Sequence, residues 1–171
     1  IMKKHKINIV NCMNAYIKSY NGIFTTKIFM DKDINVSLGT GDPILNCELN
    51  IIDEMKITGL LSKVKKIKKE NIKSYELLKL ITVNGVKSMG SVHKTGKLEI
   101  GKLADIISIK INAKKYNGSL DINMLQDNIK SSDIMNVWIS GKHILKNKKL
   151  LTINEKLLYD KLVQLKKVGN Q

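Results

Sequence analysis

A carboxylate stands at the end of a strand-like segment near the start of the chain. Apolar residues run up to Leu38 in the pattern of a buried parallel strand, and Gly39 and Gly41 then break that pattern just before Asp42. Ligands and metal ions of parallel α/β proteins bind at the carboxyl ends of strands, because the loops that follow the strands converge there. This stretch therefore predicts a ligand or metal site that includes Asp42.

The other side chains that could carry chemistry are scattered. The three histidines are His5, His93 and His143. A zinc site needs about three protein ligands placed together, so histidines this far apart, with no His-x-His pair, indicate structural or surface roles. No histidine is close in sequence to Cys12 or Cys47, which favours small buried apolar roles for both cysteines. Asp53 and Glu54 are neighbours on a predicted helix, where adjacent residues do not share a face, so they are not interpreted as an acid–base pair.

Two short strands joined by a helix are predicted to hold these side chains. Apolar runs at Ile7–Val10 and Ile34–Leu38 predict the strands, and Ile28–Met30 fall on the helix between them. A strand–helix–strand unit of this kind is right-handed and its strands are parallel. We therefore expect Asn11 and Asp42 to lie at the same end of the pair.

Farther along the chain, helical periodicity gives way to β patterning. The predicted elements are a helix over Leu49–Lys69, a helix capped by Ser74 and interrupted at Asn84-Gly85, a strand over Ile106–Ile111, a hairpin over Met135–Leu145 that turns at Ser140-Gly141, and a last helix opened by a capping box at Thr152–Glu155. Helices followed by short β segments indicate a second, small β element behind the strand pair.

The charge of the chain favours a lysine-rich surface over a nucleic-acid-binding one. The net charge is +15, yet every basic residue is lysine. Recognition of phosphates and bases usually favours the planar fork of arginine. The densest lysine run, Lys63–Lys69, contains Val64 and Ile67 at helical spacing and is interpreted as an exposed helix face. Nucleic acid is therefore the least favoured partner.

Three further features bear on the setting of the protein. No apolar run approaches the ~18 residues that span a bilayer, which predicts no membrane association. Two cysteines are too few for a disulfide scaffold, which favours the reducing cytoplasm. Because the sequence starts with Ile1 rather than Met, we expect it to be part of a longer reading frame.

Several segments together carry a family pattern. They are Val36–Thr40, Asn46–Lys56, Thr82–Gly90, Gly96–Asp105 and Ile134–Lys142. Their order and spacing resemble the C-terminal half of the metal-dependent amidohydrolases. Within that superfamily, they are most similar to aminohydrolases that deaminate methylthioadenosine, S-adenosylhomocysteine or guanine and to the chlorohydrolases. The Gly-x-Leu-x-x-Gly-Lys-x-Ala-Asp element, which ends at Asp105, is the most specific of these matches.

The sequence also departs from the family pattern. The seventh barrel strand of the family usually ends in His-Cys-Pro-x-Ser-Asn-x-Lys, and here Cys12 and Lys18 agree while Asn11 stands at the histidine position. The Asp-Gly that ends the family's eighth strand is exchanged to Gly41-Asp42. A one-residue slip turns a strand side chain to the opposite face, so Asp42 reaches the site only if Gly41 bends the backbone.

The resemblance implies both an architecture and an activity. The implied fold is α/β: the last two strands and following helices of a TIM-type (β/α)8 barrel in residues 1–90, part of a small composite β-sandwich in residues 91–150, and a C-terminal helix in residues 151–171. The implied function is hydrolysis of a non-peptide C–N bond that deaminates a purine-type or related heterocycle. Asp42 would be the metal ligand and general base, and Asn11 and Asn14 in the loop up to Tyr16 would line the substrate pocket.

The resemblance also implies cofactors and partners. The full-length family uses zinc or iron, and we expect no metal to be bound by this chain alone. Expected partners are the heterocycle and either a second copy or the missing N-terminal half of the barrel. The alternative function is a truncated or decayed scaffold that has lost the chemistry, and a basic nucleic-acid-binding module ranks last.

Overall fold

The chain forms two units. The computed structural model describes residues 1–64, 71–91, 94–112 and 121–168. Unit 1 comprises Ile1–Lys102 and Ile111–Ser131, and unit 2 comprises Leu103–Lys110 and Ser132–Gln171. None of the helices in the described ranges combines the length and the apolar character that crossing a bilayer requires.

Unit 1 is built on a parallel pair of strands with helices packed against it. Its elements are β1 (Ile9–Asn11), α1 (Met13–Lys18), α2 (Thr26–Met30), β2 (Val36–Leu38), α3 (Ile51–Ser62), α4 (Ser74–Ile81), α5 (Val83–Ser88) and α6 (Ile122–Asn128). In the pair, Ile9 lies opposite Val36 and Asn11 lies opposite Leu38. The parallel pairing is as predicted, although both strands begin two residues later than their apolar runs do.

The core of unit 1 lies between β2 and helices α3 and α4. All three residues of β2 are buried, and so are the apolar side chains that α3 and α4 turn toward it. These helix residues are Ile52, Met55, Leu77 and Leu80. Fully burying one such side chain stabilises a fold by about 1.5–3 kcal/mol, so this small layer holds the two strands in place.

Helix α3 begins where the sequence supplies an N-terminal cap. The Asn50 side chain accepts a hydrogen bond from Ile52 N at 3.1 Å, and Asp53 and Glu54 occupy the first turn. Carboxylates are favourable there, because the amino end of a helix carries a partial positive charge. Later in the helix, a Cβ on Gly59 would lie 2.8 Å from Leu77 Cδ1. Gly59 therefore weakens α3 but lets α4 approach it closely.

Three local predictions for unit 1 were wrong. The segment after β1 is not a loop up to Tyr16, because α1 begins at Met13. Lys73, not Ser74, is the N-cap of α4, and its backbone N–H donates to the Glu76 carboxylate. Asn84-Gly85 does not interrupt a helix. The break lies two residues earlier, at Thr82, and Asn84 is held inside α5 by its side-chain hydrogen bond to Val36 O at 2.8 Å.

Helix α6 lies inside the predicted second segment but belongs to unit 1. It packs on α3 and α4, where Gln126 is buried beside Gly59, and Ile129, just beyond the helix, is also buried. No helix was predicted there. The boundaries of the two units therefore differ from the predicted segments 1–90, 91–150 and 151–171, because the chain enters the β unit, returns to unit 1 and then leaves again.

Unit 2 is an antiparallel sheet followed by a helix. Its elements are β3 (Ile106–Ile109), β4 (Ile134–Ile139), β5 (Lys142–Lys146), β6 (Lys149–Leu150) and α7 (Glu155–Val168). The strands lie in sequence order, and the predicted hairpin is confirmed as β4 and β5. Its turn residues, Ser140 and Gly141, both have positive φ, as a tight hairpin turn requires.

The last helix starts later than its predicted capping box. Asn154 Oδ1 accepts a hydrogen bond from Leu157 N at 3.1 Å, so Asn154 and not Thr152 caps α7. The leucines of this helix are largely exposed, since Leu157, Leu162 and Leu165 are each more than half accessible.

Candidate functional site

The strands of unit 1 end side by side, and the predicted site residues lie at the end of β1 or in the segments that follow the two strands. Asn11 ends β1 and is paired with Leu38, which ends β2. Asn14 lies in the first turn of α1, and Asp42 lies four residues after β2. The structure therefore brings the two segments to one end of the sheet, as parallel strands require.

Asn11 supports the strand pair from inside. Its side chain is buried, and its Nδ2 donates to Thr26 Oγ1 at 3.0 Å. This bond joins the end of β1 to the start of α2. A role for Asn11 in binding substrate stays a prediction, because in this structure its amide is engaged with the scaffold.

Asp42 lies in a turn that begins at Gly41. Gly41 has φ +71°, a left-handed conformation that turns the chain after β2. Asp42 is exposed, and its Oδ1 accepts a hydrogen bond from Ile44 N at 2.8 Å. Asp42 O also accepts from Leu45 N and Asn46 N. The carboxylate thus stabilises its own turn, and its role as ligand and base stays a prediction.

Asn14 contacts a carboxylate that the sequence did not single out as functional. Asn14 Nδ2 donates to Glu54 Oε1 at 2.9 Å, and Asn14 N donates to Glu54 Oε2 at 3.1 Å. Glu54 has no exposed surface. Charged side chains are rarely buried completely unless they are paired or hydrogen-bonded. Glu54 can therefore be buried inside unit 1 because Asn14 donates hydrogen bonds to its carboxylate.

A second amide completes this cluster. Asn46 Nδ2 donates to Glu54 Oε1 at 2.9 Å and to Thr40 O at 2.9 Å, and Asn46 Oδ1 accepts from Lys18 Nζ at 3.1 Å. We call Asn14, Lys18, Asn46 and Glu54 the polar cluster. One sequence signal could have identified this cluster: Lys18, Asn46 and Glu54 all lie in segments that match the family pattern. The predicted strands do not by themselves show that these three side chains lie together.

Cys12 lies beside the polar cluster. Burial raises the pKa of the Cys12 thiol, and the negative charge of Glu54 raises it further, while a hydrogen bond from the Gly41 backbone opposes both effects. A thiol with a raised pKa is a poor nucleophile, because only the thiolate reacts. Cys47 is free and exposed. Neither cysteine has the features of a catalytic nucleophile.

A shallow cavity opens above the polar cluster. Its volume is about 280 Å³, and Asn14, Lys18 and Asn46 form part of its wall. The cavity is therefore bounded by residues from both strand-following segments. A substrate pocket lined by Asn14 stays a prediction.

The described residues do not by themselves fit a zinc ion. Within the ranges that the structure describes, no three His, Cys, Asp or Glu side chains come together as a metal site would require. His5 is exposed, and His143 is in unit 2, where its ring stacks on Trp138 with centroids 4.5 Å apart. His93 lies outside the described residues, as do Lys65–Lys69 of the lysine run. The exposed Asp42 carboxylate is a single candidate ligand, whereas a zinc site needs about three protein ligands.

A family comparison settles the relationship of the chain to known proteins. A model of the amidohydrolase family matches residues 1–144. The chain belongs to the amidohydrolase family. The predicted resemblance to the amidohydrolases is thereby confirmed. The predicted resemblance to the deaminases and chlorohydrolases is confirmed by the individual amidohydrolases below.

Individual amidohydrolases agree with this assignment. The 5-methylthioadenosine/S-adenosylhomocysteine deaminase of Pyrococcus horikoshii is 32% identical over 167 residues, which is 95% of this chain and 38% of that protein. An adenosine deaminase from Xanthomonas campestris with bound zinc superposes with a TM-score of 0.87 at 19% identity, over 96% of this chain and 38% of the other. Atrazine chlorohydrolase from Arthrobacter aurescens TC1, complexed with zinc, has a TM-score of 0.84 at 18% identity, over 95% and 36%.

The coverage of these matches shows how much of an amidohydrolase the chain represents. It is a mixed α/β partial amidohydrolase fold that spans well under half the length of its relatives. The described parallel pair has two strands, and two strands alone cannot close a barrel.

Proposed function

We propose that this chain supplies the last two strands of the (β/α)8 barrel of a metal-dependent aminohydrolase, together with the loops that follow them. The observation that carries the proposal is the parallel pair, in which β1 and β2 end together at Asn11 and Leu38. Active sites of such barrels lie at the carboxyl ends of the strands. The completed enzyme would release ammonia from a purine-type or related heterocycle in the cytoplasm.

The backbone at the outer edge of β1 favours the addition of a partner strand there. Ile9 N donates to Asn35 O and Gly39 N donates to Asn11 O, both across the β1–β2 pair. Hydrogen-bonding residues alternate along a parallel strand, so the amide and carbonyl of Val10 point away from β2. Val10 is 56% exposed. We propose that the rest of the barrel pairs with this edge.

Within this proposal the predicted site residues have distinct tasks. Asp42 contributes a carboxylate at the rim, as ligand or base, and Asn14 lines the substrate space through α1. Asn11 acts through Thr26 and holds the end of β1 against α2. Zinc, or iron, would come with ligands from the remainder of the barrel, since the described part of this chain lacks a sufficient set.

A non-catalytic scaffold is the competing function, and one observation favours it. The Asp42 carboxylate is exposed and already accepts a hydrogen bond from Ile44 N. A decayed relative could keep the fold of unit 1 while this residue serves only its turn. The two functions make opposite predictions for a reassembled protein.

Reassembly with a relative tests the proposal. The purified chain is mixed or co-expressed with the part of the Pyrococcus horikoshii deaminase that it does not match, and ammonia release from 5-methylthioadenosine and bound zinc are measured. We expect activity and zinc in the mixture but in neither part alone, and loss of activity with Asp42→Asn. Asp33→Asn, an exposed carboxylate that pairs with Lys3, is the matched control and should keep the activity. A complex that forms without zinc or ammonia release would favour the scaffold.

A further inference from the structure

The Glu54 carboxylate lies where the two strand-following segments meet. Its Oε1 accepts hydrogen bonds from Asn14 Nδ2 and Asn46 Nδ2, both at 2.9 Å, and its Oε2 accepts from Asn14 N at 3.1 Å. Asn14 follows β1 and Asn46 follows β2. One buried side chain therefore holds donors from both segments, while Glu54 itself belongs to neither, since it lies on α3.

The connection reaches the turn that contains Asp42. Asn46 Nδ2 donates to Thr40 O as well as to Glu54, and Asn46 N donates to Asp42 O at 2.8 Å. Asn46 thus fixes the backbone on both sides of Gly41. Because Glu54 orients the Asn46 amide, displacement of the carboxylate would be transmitted to the turn that presents Asp42.

The two segments also touch directly, so small movements in one must be accommodated by the other. A Cβ on Gly41 would lie 2.8 Å from Ala15 Cβ and 3.3 Å from Cys12 Cβ. Ala15 is buried in α1. Close-packed interiors transmit displacements because they contain little free volume. Packing thus supplements the hydrogen bonds in coupling α1 to the Asp42 turn.

The energetics explain why the carboxylate is not replaceable by an amide. A buried carboxylate is costly unless its oxygens accept hydrogen bonds, and both oxygens of Glu54 do. Glutamine at this position would retain one oxygen for the two side-chain amides but would place an NH2 group opposite Asn14 N. Two donors would then face each other, and a buried N–H would lose its acceptor.

We propose that Glu54 is a positioning residue: it holds the segment after β1 and the segment after β2 as one unit, and so sets the place of Asn14 relative to Asp42. The functional meaning of this role rests on the proposed aminohydrolase activity. The coupling itself is a property of the chain alone and can be measured without catalysis.

The test uses the full 171-residue chain and two readouts. Side-chain amide NMR signals report the environments of Asn14 and Asn46, and backbone amide exchange reports the order of residues 13–18 and 40–46. With Glu54→Gln, we expect both pairs of side-chain signals to move, and exchange in both segments to accelerate by about tenfold or more while α4 keeps its protection. Asp53→Asn, the neighbouring carboxylate, which accepts from Asn50 Nδ2, should leave all of these unchanged.

Three results would overturn the proposal: a change in only one segment, equal loss of protection throughout unit 1 including α4, or the same response to Asp53→Asn. If Glu54→Gln does not fold, the Asn46→Ser variant tests the coupling instead. This variant removes the donor after β2 but leaves Glu54 in place, so coupling predicts that the side-chain amide signals of Asn14 move too. Unchanged Asn14 signals would contradict the proposal.

Activity provides a separate result. In a reassembled enzyme that releases ammonia, Glu54→Gln should lower kcat by about tenfold or more, because misplacement of reacting groups by about 1 Å is enough for such a loss. An unchanged kcat would refute the positioning role. Failure to reassemble an active enzyme would count against the proposed function but would leave the NMR and exchange results to decide the coupling.

Discussion

The Glu54 carboxylate accepts hydrogen bonds from both amide groups of Asn14: the side-chain Nδ2 lies 2.9 Å from Oε1 and the backbone N lies 3.1 Å from Oε2. These residues are 40 positions apart, and the bonds link α3 to the first turn of α1. The pair shows how the protein fixes the end of β1 with a buried charge. Several measurable properties depend on this relationship and on the packing around it.

Asn14→Asp should destabilise the protein in a pH-dependent way. A second carboxylate would face Glu54 where Asn14 now donates two hydrogen bonds. We expect the free energy of unfolding at pH 7 to fall by about 3 kcal/mol, because the buried Glu54 would lose the side-chain donor of Asn14 and meet a like charge. The like charge raises the pKa of one carboxyl in the folded state. The folded protein then binds more protons than the unfolded one, so stability falls as pH rises and the defect is smaller near pH 5.

Urea unfolding at several pH values measures this effect. Asn21→Asp is the matched control, since Asn21 is exposed and donates to Ser19 Oγ, and it should change stability by no more than about 0.5 kcal/mol. A defect of Asn14→Asp that is independent of pH would contradict the expected charge repulsion.

Two buried threonines should respond in opposite directions to replacement by valine. Thr58 Oγ1 is buried with no hydrogen-bond partner among the described residues, whereas Thr26 Oγ1 accepts from Asn11 Nδ2. Thr58→Val removes an unsatisfied polar group and should raise the free energy of unfolding by about 1 kcal/mol. Thr26→Val leaves the buried Asn11 amide without its acceptor and should lower it by about 1–3 kcal/mol. Denaturant midpoints of both variants check this, and equal signs would be inconsistent with the hydrogen-bond assignment.

Gly41→Ala should cost more than Gly22→Ala. Both glycines have positive φ, but a Cβ on Gly22 meets nothing within 4 Å, whereas a Cβ on Gly41 would lie 2.8 Å from Ala15 Cβ. Backbone strain alone should cost about 1 kcal/mol in each variant. We expect a further loss of about 1–3 kcal/mol for Gly41→Ala from overpacking. Thermal or denaturant unfolding compares the two, and similar losses would show that the segments after β1 and β2 do not touch.

Cys12 should titrate at higher pH than an ordinary thiol. Burial and the charge of Glu54 raise the pKa of Cys12, and Cys47 is exposed. At a given pH, the raised pKa leaves less thiolate, so alkylation of Cys12 by iodoacetamide should be slower and its midpoint should lie above the ordinary thiol range. Mass spectrometry of each cysteine against pH follows the reaction. In Glu54→Gln the Cys12 midpoint should decrease, and an increase would argue against the electrostatic contribution of Glu54.

The sequence was most informative where structure is decided locally. The Ser140-Gly141 hairpin and the strand before Gly39 follow from turn chemistry and short apolar runs, which act over a few residues. Asn84-Gly85 has the same local signal for a turn, yet it lies inside α5, because Asn84 is held by a hydrogen bond to Val36 O. That contact spans 48 positions and outweighs local preference.

The candidate site shows the same limit. Asp42 could be placed after its strand from the sequence, and Gly41 turns the chain there. Glu54 could be assigned to a helix, but helical spacing does not specify which loops lie opposite that helix. The polar cluster depends on how α3 packs on α1, a tertiary contact that no local pattern encodes.

The proposal that the chain completes a barrel is tested most directly at Val10. The Val10 amide points away from β2, so in the chain alone it should exchange with solvent quickly. Addition of the unmatched part of the Pyrococcus horikoshii deaminase should slow Val10 exchange by at least about a hundredfold, because a new parallel strand would accept its hydrogen bond. Amide exchange of Val10 that is unchanged in the assembled complex would contradict the account.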